Sequence, residues 1–197
     1  MRRSSLVKTD RVWNIFRYTL GRFRGILLFY GILLLLLGPV STLVQYGSGV
    51  KAAAALPELF VWGIPLVMAV LMPLLIFGFV NHKQALDVFH AAPIRRDTLY
   101  LGSYLAGLFL VEAPLFLFGG MTAFLQQVCF QSGEQGLLCL LNFGISAFMS
   151  FSLMVFVLIN CGTMFESVVY YVVLCAGWPA LIQTMFRLLQ QHTYGYR

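Results

Sequence analysis

The chain has 197 residues, 60% of them hydrophobic and only 10% charged, with a net charge of +6 and a mean hydropathy of +0.85. About a quarter of an average soluble sequence is charged, so a water-soluble globular domain is excluded and the long apolar runs define an integral membrane protein. In such a chain the placement of Lys and Arg says more than their total.

Residues 1–24 form a basic amino-terminal segment. Within TDRVWNIFRYTLGRFRG, Val12, Phe16, Leu20 and Phe23 recur at helical spacing, and Trp13 and Ile15 widen the apolar side. Arg11, Arg17, Arg22 and Arg24 supply charge for lipid headgroups. This pattern predicts a helix lying in the cytoplasmic interface; the plainer alternative is a basic anchor that follows the positive-inside rule. A cleaved signal sequence does not fit, because its basic region would be 24 residues long and further apolar runs follow. RRSSLVK is loosely similar to a twin-arginine signal, but the apolar core starts about 20 residues too late for one.

Residues 25–197 read as a transmembrane domain. A helix needs roughly 20 apolar residues to cross about 30 Å of hydrocarbon. Five stretches qualify, near 25–45, 60–80, 99–124, 137–160 and 167–188. Pro65, Pro73, Pro114 and Pro179 fall inside them, where neighbouring helices satisfy freed carbonyls. Ten Lys and Arg residues lie before the first span or in the 81–98 segment, and three (Lys51, Arg187, Arg197) lie on the other side. The amino terminus and the 81–98 segment are therefore predicted to be cytoplasmic, in a bacterial plasma membrane, with the carboxyl terminus outside.

Several side chains invite a chemical reading. Glu112 falls near the middle of the third span, two residues before Pro114, where a carboxylate is costly to bury. It is either a substrate or gating contact, or a structural hydrogen-bonding group for Asn142, Asn160 or the carbonyls freed by Pro114. Gly102 and Ala106, then Ser103 and Gly107, are spaced four apart, which lets backbones approach within a bundle or against a second subunit. Cys129, Cys139, Cys161 and Cys175 form no CxxC pair and read as small apolar residues, although Cys129 and Cys139 flank one short loop.

His82 and Asp87 share the HxxxxD spacing of glycerolipid acyltransferases, in which an acid orients a basic histidine. Gln84 stands where that family has a small hydroxyl residue, and its glycine-containing phosphate motif is absent. A metal site built from His82, Asp87 and His90 is no better supported, because residues 82 and 90 of one helix are about 80° apart and two turns separated. No nucleotide-binding loop occurs; YGSGVK at 46–51 lacks the GxxxxGK[ST] spacing. No catalytic residue, metal or cofactor is assigned to the chain, and no nucleic-acid partner is expected, since positive-inside placement accounts for the basic residues.

Between the second and third spans, Ala85, Val88, Phe89 and Ala92 fall at i, i+3, i+4 and i+7. They predict a short amphipathic helix ended by Pro93, with Asp97 capping the helix that re-enters the membrane. This stretch, QALDVFHAAPIRRDTLYLGSYLAGL, resembles the segment linking the second and third spans in bacterial ATP-binding-cassette (ABC) transporter permeases. Those often read as an acid, an aromatic, His, a small pair, Pro, two basic residues, an acid and Thr-Leu. The matching positions are Asp87, Phe89, His90, Ala91 and Ala92, Pro93, Arg95 and Arg96, Asp97, Thr98 and Leu99. RVWNIFRYTLGRFRG is similar to the interfacial connecting helix of the same family, so the resemblance covers most of residues 10–110.

The resemblance implies a permease of the exporter type whose coupling helix docks on a separate ATPase subunit. Asp87, Phe89, His90, Pro93, Arg95, Arg96 and Asp97 would form the docking surface, with Phe89 as the apolar anchor and the charged residues setting register. Its implied partners are that ATPase, a second permease subunit (the same chain or a sister) and membrane lipids. The family generally has six spans per subunit, and five are found here. The expectation is therefore a truncated reading frame, a fragment, or the amino-terminal part of a longer protein. The expected architecture is all-α and polytopic: about five transmembrane helices, an interfacial helix and a coupling helix. A non-transporting assembly or regulatory protein and an acyltransferase-like enzyme are the alternatives.

Overall fold

The computed structural model describes residues 2–48, 55–78, 96–130, 133–161 and 163–194. It is all-α, with no strand among the described residues. The elements are α1 (Arg2–Arg22), α2 (Arg24–Leu35), a π-helical turn (Leu36–Val40), α3 (Ser41–Gly47), α4 (Ala55–Phe77), α5 (Arg96–Phe130), α6 (Gly133–Asn160) and α7 (Met164–Tyr194). Four helical stretches are long and apolar enough to cross a membrane: Arg24–Gly47, Asp97–Cys129, Gly136–Asn160 and Met164–Leu188. The chain is thus a multi-pass membrane protein. Of the five predicted spans, the one near 60–80 falls on α4, a helix of 23 residues. Its described apolar part, Gly63–Phe77, is by itself shorter than a span.

Helix α1 passes into α2 through a kink at Phe23, where φ is −100° and ψ is 12°. Backbone bonds from Phe23 N–H to Thr19 O (3.1 Å) and from Leu27 N–H to Phe23 O (3.0 Å) carry the ladder across it. α2, the π turn and α3 then run on without a break. The sequence reading passed over Pro39, which lies inside this π turn. A proline removes one donor and crowds the carbonyl one turn before it, and just beyond it two hydroxyls bond back to carbonyls of the turn. Ser41 donates to Leu37 O and to Gly38 O at 2.9 Å, and Thr42 donates to Gly38 O at 2.8 Å.

The core is formed where α4, α5 and α6 meet, with Met72, Phe77, Leu110, Leu115, Phe151 and Met154 among its buried side chains. α5 and α6 are antiparallel. The Tyr104 and Ser152 hydroxyls pair at 2.9 Å, while farther along a Cβ on Gly119 would meet Leu140 and one on Gly136 would meet Ala123. α2 runs parallel to α5, with Tyr30 near Val111, Gly31 against Phe118 and Gly38 against Thr122. The two small-residue pairs of the third span work inside this bundle. Gly102 admits Ile15 of α1, and Gly107 admits Phe151 of α6 and Ile76 of α4. Apolar burial gives little drive between helices already in hydrocarbon, so close packing of this kind is what joins them.

Helix α7 is held far less tightly. Only 7% of its apolar stretch is buried, against 39% in both α5 and α6. Tyr171 reaches back to α6 through a 2.9 Å hydroxyl pair with Ser150.

Candidate functional site

One end of the bundle gathers the features that the sequence marked. Phe77, at the end of α4, stacks on Tyr100 near the start of α5, with ring centroids 6.1 Å apart. Gly78 faces Met164 at the start of α7, and Gly102 faces Ile15 of α1. The end of α4 and the start of α5 therefore lie together, close to where α1 packs on α5. Asp87, Phe89, His90, Pro93 and Arg95 lie outside the described residues, as does His82. Arg96 opens α5, and Asp97 is exposed in its first turn. The helix already includes Arg96, two residues before the start that a capping Asp97 would set. Asp97 thus stands inside the first turn, where a negative charge still favours the amino-terminal end of the helix dipole.

α1 behaves as an amphipathic helix against α5, with one departure. Val12, Ile15, Phe16, Leu20 and Phe23 are half-buried, but Trp13 is 56% exposed. Trp13 stacks on Phe16 at 5.1 Å between centroids, and Phe16 meets Phe109 of α5 edge-on at 5.7 Å. Arg22 places its guanidinium over Phe23 at 5.7 Å.

Between α1 and α5 lies a groove of about 450 Å³, lined on the α1 side by Val12, Trp13 and Phe16. On α5 its wall is the single face Leu105, Leu108, Phe109, Glu112, Ala113 and Phe116. Among the described residues Glu112 is the one ionisable residue of this lining, about 22 Å along the helix from Asp97 at 1.5 Å per residue. Both carboxylate oxygens are buried, and among the described residues neither has a hydrogen-bond partner.

The structural partners expected for Glu112 are engaged elsewhere. Asn160 donates to Phe156 O of its own helix at 2.7 Å. Asn142 is exposed on α6, and its carbonyl accepts from Ser146 at 2.8 Å. Tyr30 lies within electrostatic reach of Glu112, but its hydroxyl donates to the Val111 carbonyl, at a long 3.4 Å. Among the described residues neither Asn142 nor Asn160 is placed as a hydrogen-bond partner of Glu112.

Trp13 and Phe16 were named from the sequence on the apolar side of α1, but Phe109 and Phe116 of α5 were not. Their signal is nevertheless present, since Leu105, Phe109, Glu112 and Phe116 fall at i, i+4, i+7 and i+11, the spacing of one helix face. The four cysteines are all free, and Cys139 and Cys175 are exposed. Cys129 and Cys139 do not pair, although they flank one loop. Among the described residues no three His, Cys, Asp or Glu side chains converge. Comparison with known protein families, curated proteins and solved structures finds no match.

Proposed function

We propose that this chain is the membrane-spanning permease subunit of an ABC exporter, or the amino-terminal part of one, and that α4 is its second of five spans. ATP binding and hydrolysis take place in a separate subunit, which grips the 81–98 segment and moves the bundle through α4 and α5. One observation carries the reading. The described residues that bound the stretch with the family-like pattern, Phe77 of α4 and Tyr100 of α5, stack on each other, and Gly102 just beyond packs on Ile15 of the basic helix α1. A push on this segment would act directly on α4 and α5, two of the three helices that build the core. The positive-inside rule makes that side cytoplasmic, where an ATPase can reach it.

The test is co-purification. The tagged chain is expressed with the ATPase encoded beside it, one carrying a GxxxxGK[ST] loop. The ATPase should be recovered with the wild type and lost with Phe89→Ala or Arg95→Glu, while His82→Ala retains it. Recovery that ignores both docking substitutions, or no recovery at all, would sink the permease reading and leave a non-transporting membrane protein.

A further inference from the structure

Most of the surface that α6 turns outward is apolar, as lipid contact requires, but one exposed position is an amide. Leu138, Asn142, Ile145 and Met149 are all exposed. They follow one another at intervals of four, three and four residues, the spacing of a seam between two packed helices. Asn142 lies six residues, about 9 Å, inside the Gly136–Asn160 stretch. An amide that faces acyl chains has given up water and gains no partner in exchange. Asn160, also exposed, stands at the end of α6 and donates to the Phe156 carbonyl of its own helix. At Asn142 the bond from Ser146 goes to the backbone carbonyl, and the side chain is turned outward.

The geometry points to this seam as a contact between two copies of the chain, with Asn142 meeting its own copy. Copies inserted with one topology bring their α6 helices together in parallel, and a residue on the two-fold axis that relates them meets itself. Asparagine suits that place because its amide both donates and accepts, so the pair is complementary to itself. The intervals put Asn142 at an a position and Leu138 and Ile145 at d positions, and a single asparagine at a fixes register and oligomeric state. Acyl chains offer the amide no hydrogen bond, and α7 holds α6 elsewhere. Ser150, which pairs with Tyr171, is about 80° round the helix from Asn142. The next position in the series, Ser152, is half-buried and pairs with Tyr104 of α5. The contact therefore runs from Leu138 to Met149, about 16 Å along α6.

The pairing does not rest on the permease reading, which asks for a second permease subunit without saying where it packs.

The experiment uses the full chain in lipid membranes, with its four cysteines changed to alanine and one cysteine introduced on α6. Leu138 and Leu137 lie at nearly the same depth and are exposed alike, 62% and 54%, but only Leu138 is on the seam. Under mild oxidation Leu138→Cys should give a covalent dimer that reduction dissolves, and Leu137→Cys should not. Energy transfer between copies labelled at the amino terminus, read as the protein is diluted in lipid, measures the association itself. Asn142→Leu should raise the dissociation constant about tenfold. Asn142→Gln keeps an amide and should retain most of the association, and helix content should be unchanged in both. Equal cross-linking through Leu137→Cys and Leu138→Cys, association indifferent to Asn142→Leu, or a chain that stays monomeric at every dilution overturns the inference. Arg95→Glu separates it from the permease reading. That change should release the ATPase and leave cross-linking through Leu138→Cys untouched, so either proposal can fail while the other stands.

Discussion

On the side of α5 that meets α6, small residues stand where the neighbour's bulk presses in: Gly107 under Phe151, Gly119 under Leu140 and Ala106 fully buried. On the side that carries Leu105, Phe109, Glu112 and Phe116, large side chains stand out and much of their surface is open. Both faces are apolar enough for the membrane, so hydrophobicity does not tell them apart. The difference lies in shape. Within hydrocarbon a leucine gains little by leaving lipid for protein, and what joins helices is close approach and cross-helix hydrogen bonding. A packed face of α5 is therefore one where small residues let the neighbour approach.

The largest effect should come from emptying the packed side. Phe151 is fully buried and meets Tyr104 edge-on at 5.5 Å between centroids. Phe151→Ala should lower stability by about 3 kcal/mol through the cavity it leaves, read as the shift in SDS-induced unfolding from mixed micelles. Phe156, five residues on in the same helix, is 65% exposed, and Phe156→Ala should stay within about 0.5 kcal/mol. Equal losses would mean that α6 does not present distinct packed and lipid-facing sides.

Filling the packed side should cost somewhat less. A Cβ at Gly107 comes within 2.7 Å of Phe151 and 2.8 Å of Ile76, while Gly120 has nothing within 4 Å. Gly107→Leu should destabilise by about 2 kcal/mol through overpacking. Gly120→Leu should be neutral or slightly stabilising, because leucine is the better helix former. The same unfolding assay decides it. A costly Gly120→Leu would show that the open face is covered by something.

This contrast also explains what could be read from the sequence. The spans were readable because crossing hydrocarbon demands long apolar runs. Four of the five stretches named from hydropathy coincide with helices long enough to cross. Which face of each span meets which neighbour was not readable, because packed and lipid-facing positions share one composition. Glu112 was therefore visible as an intramembrane acid, but its aromatic surroundings were not, since half of them come from α1, about a hundred residues earlier. The π turn at Pro39 was not legible because hydropathy does not register it, and Ser41 and Thr42, which bond back to its Gly38 carbonyl, read as ordinary span residues. The 87–95 docking stretch remains a reading of pattern, outside the described residues.

The smallest effect probes the polar seam of the packed side, and there the direction of the bond matters. Tyr104 and Ser152 approach to 2.9 Å across α5 and α6, and the Ser152 hydroxyl donates to Phe148 O at 2.8 Å. With its one proton spent on its own helix, Ser152 must accept from Tyr104. Tyr104→Phe then removes a donor and leaves Ser152 still bonded to Phe148. Ser152→Ala instead strands the half-buried Tyr104 hydroxyl, and losing an acceptor costs more than losing both partners. The coupling in a double-substitution cycle should be about 0.6 kcal/mol, the scale of hydrogen bonds between membrane helices. Within it, Ser152→Ala should be the costlier single change. The opposite order would assign the donor to Ser152 and leave the Phe148 carbonyl to find another partner.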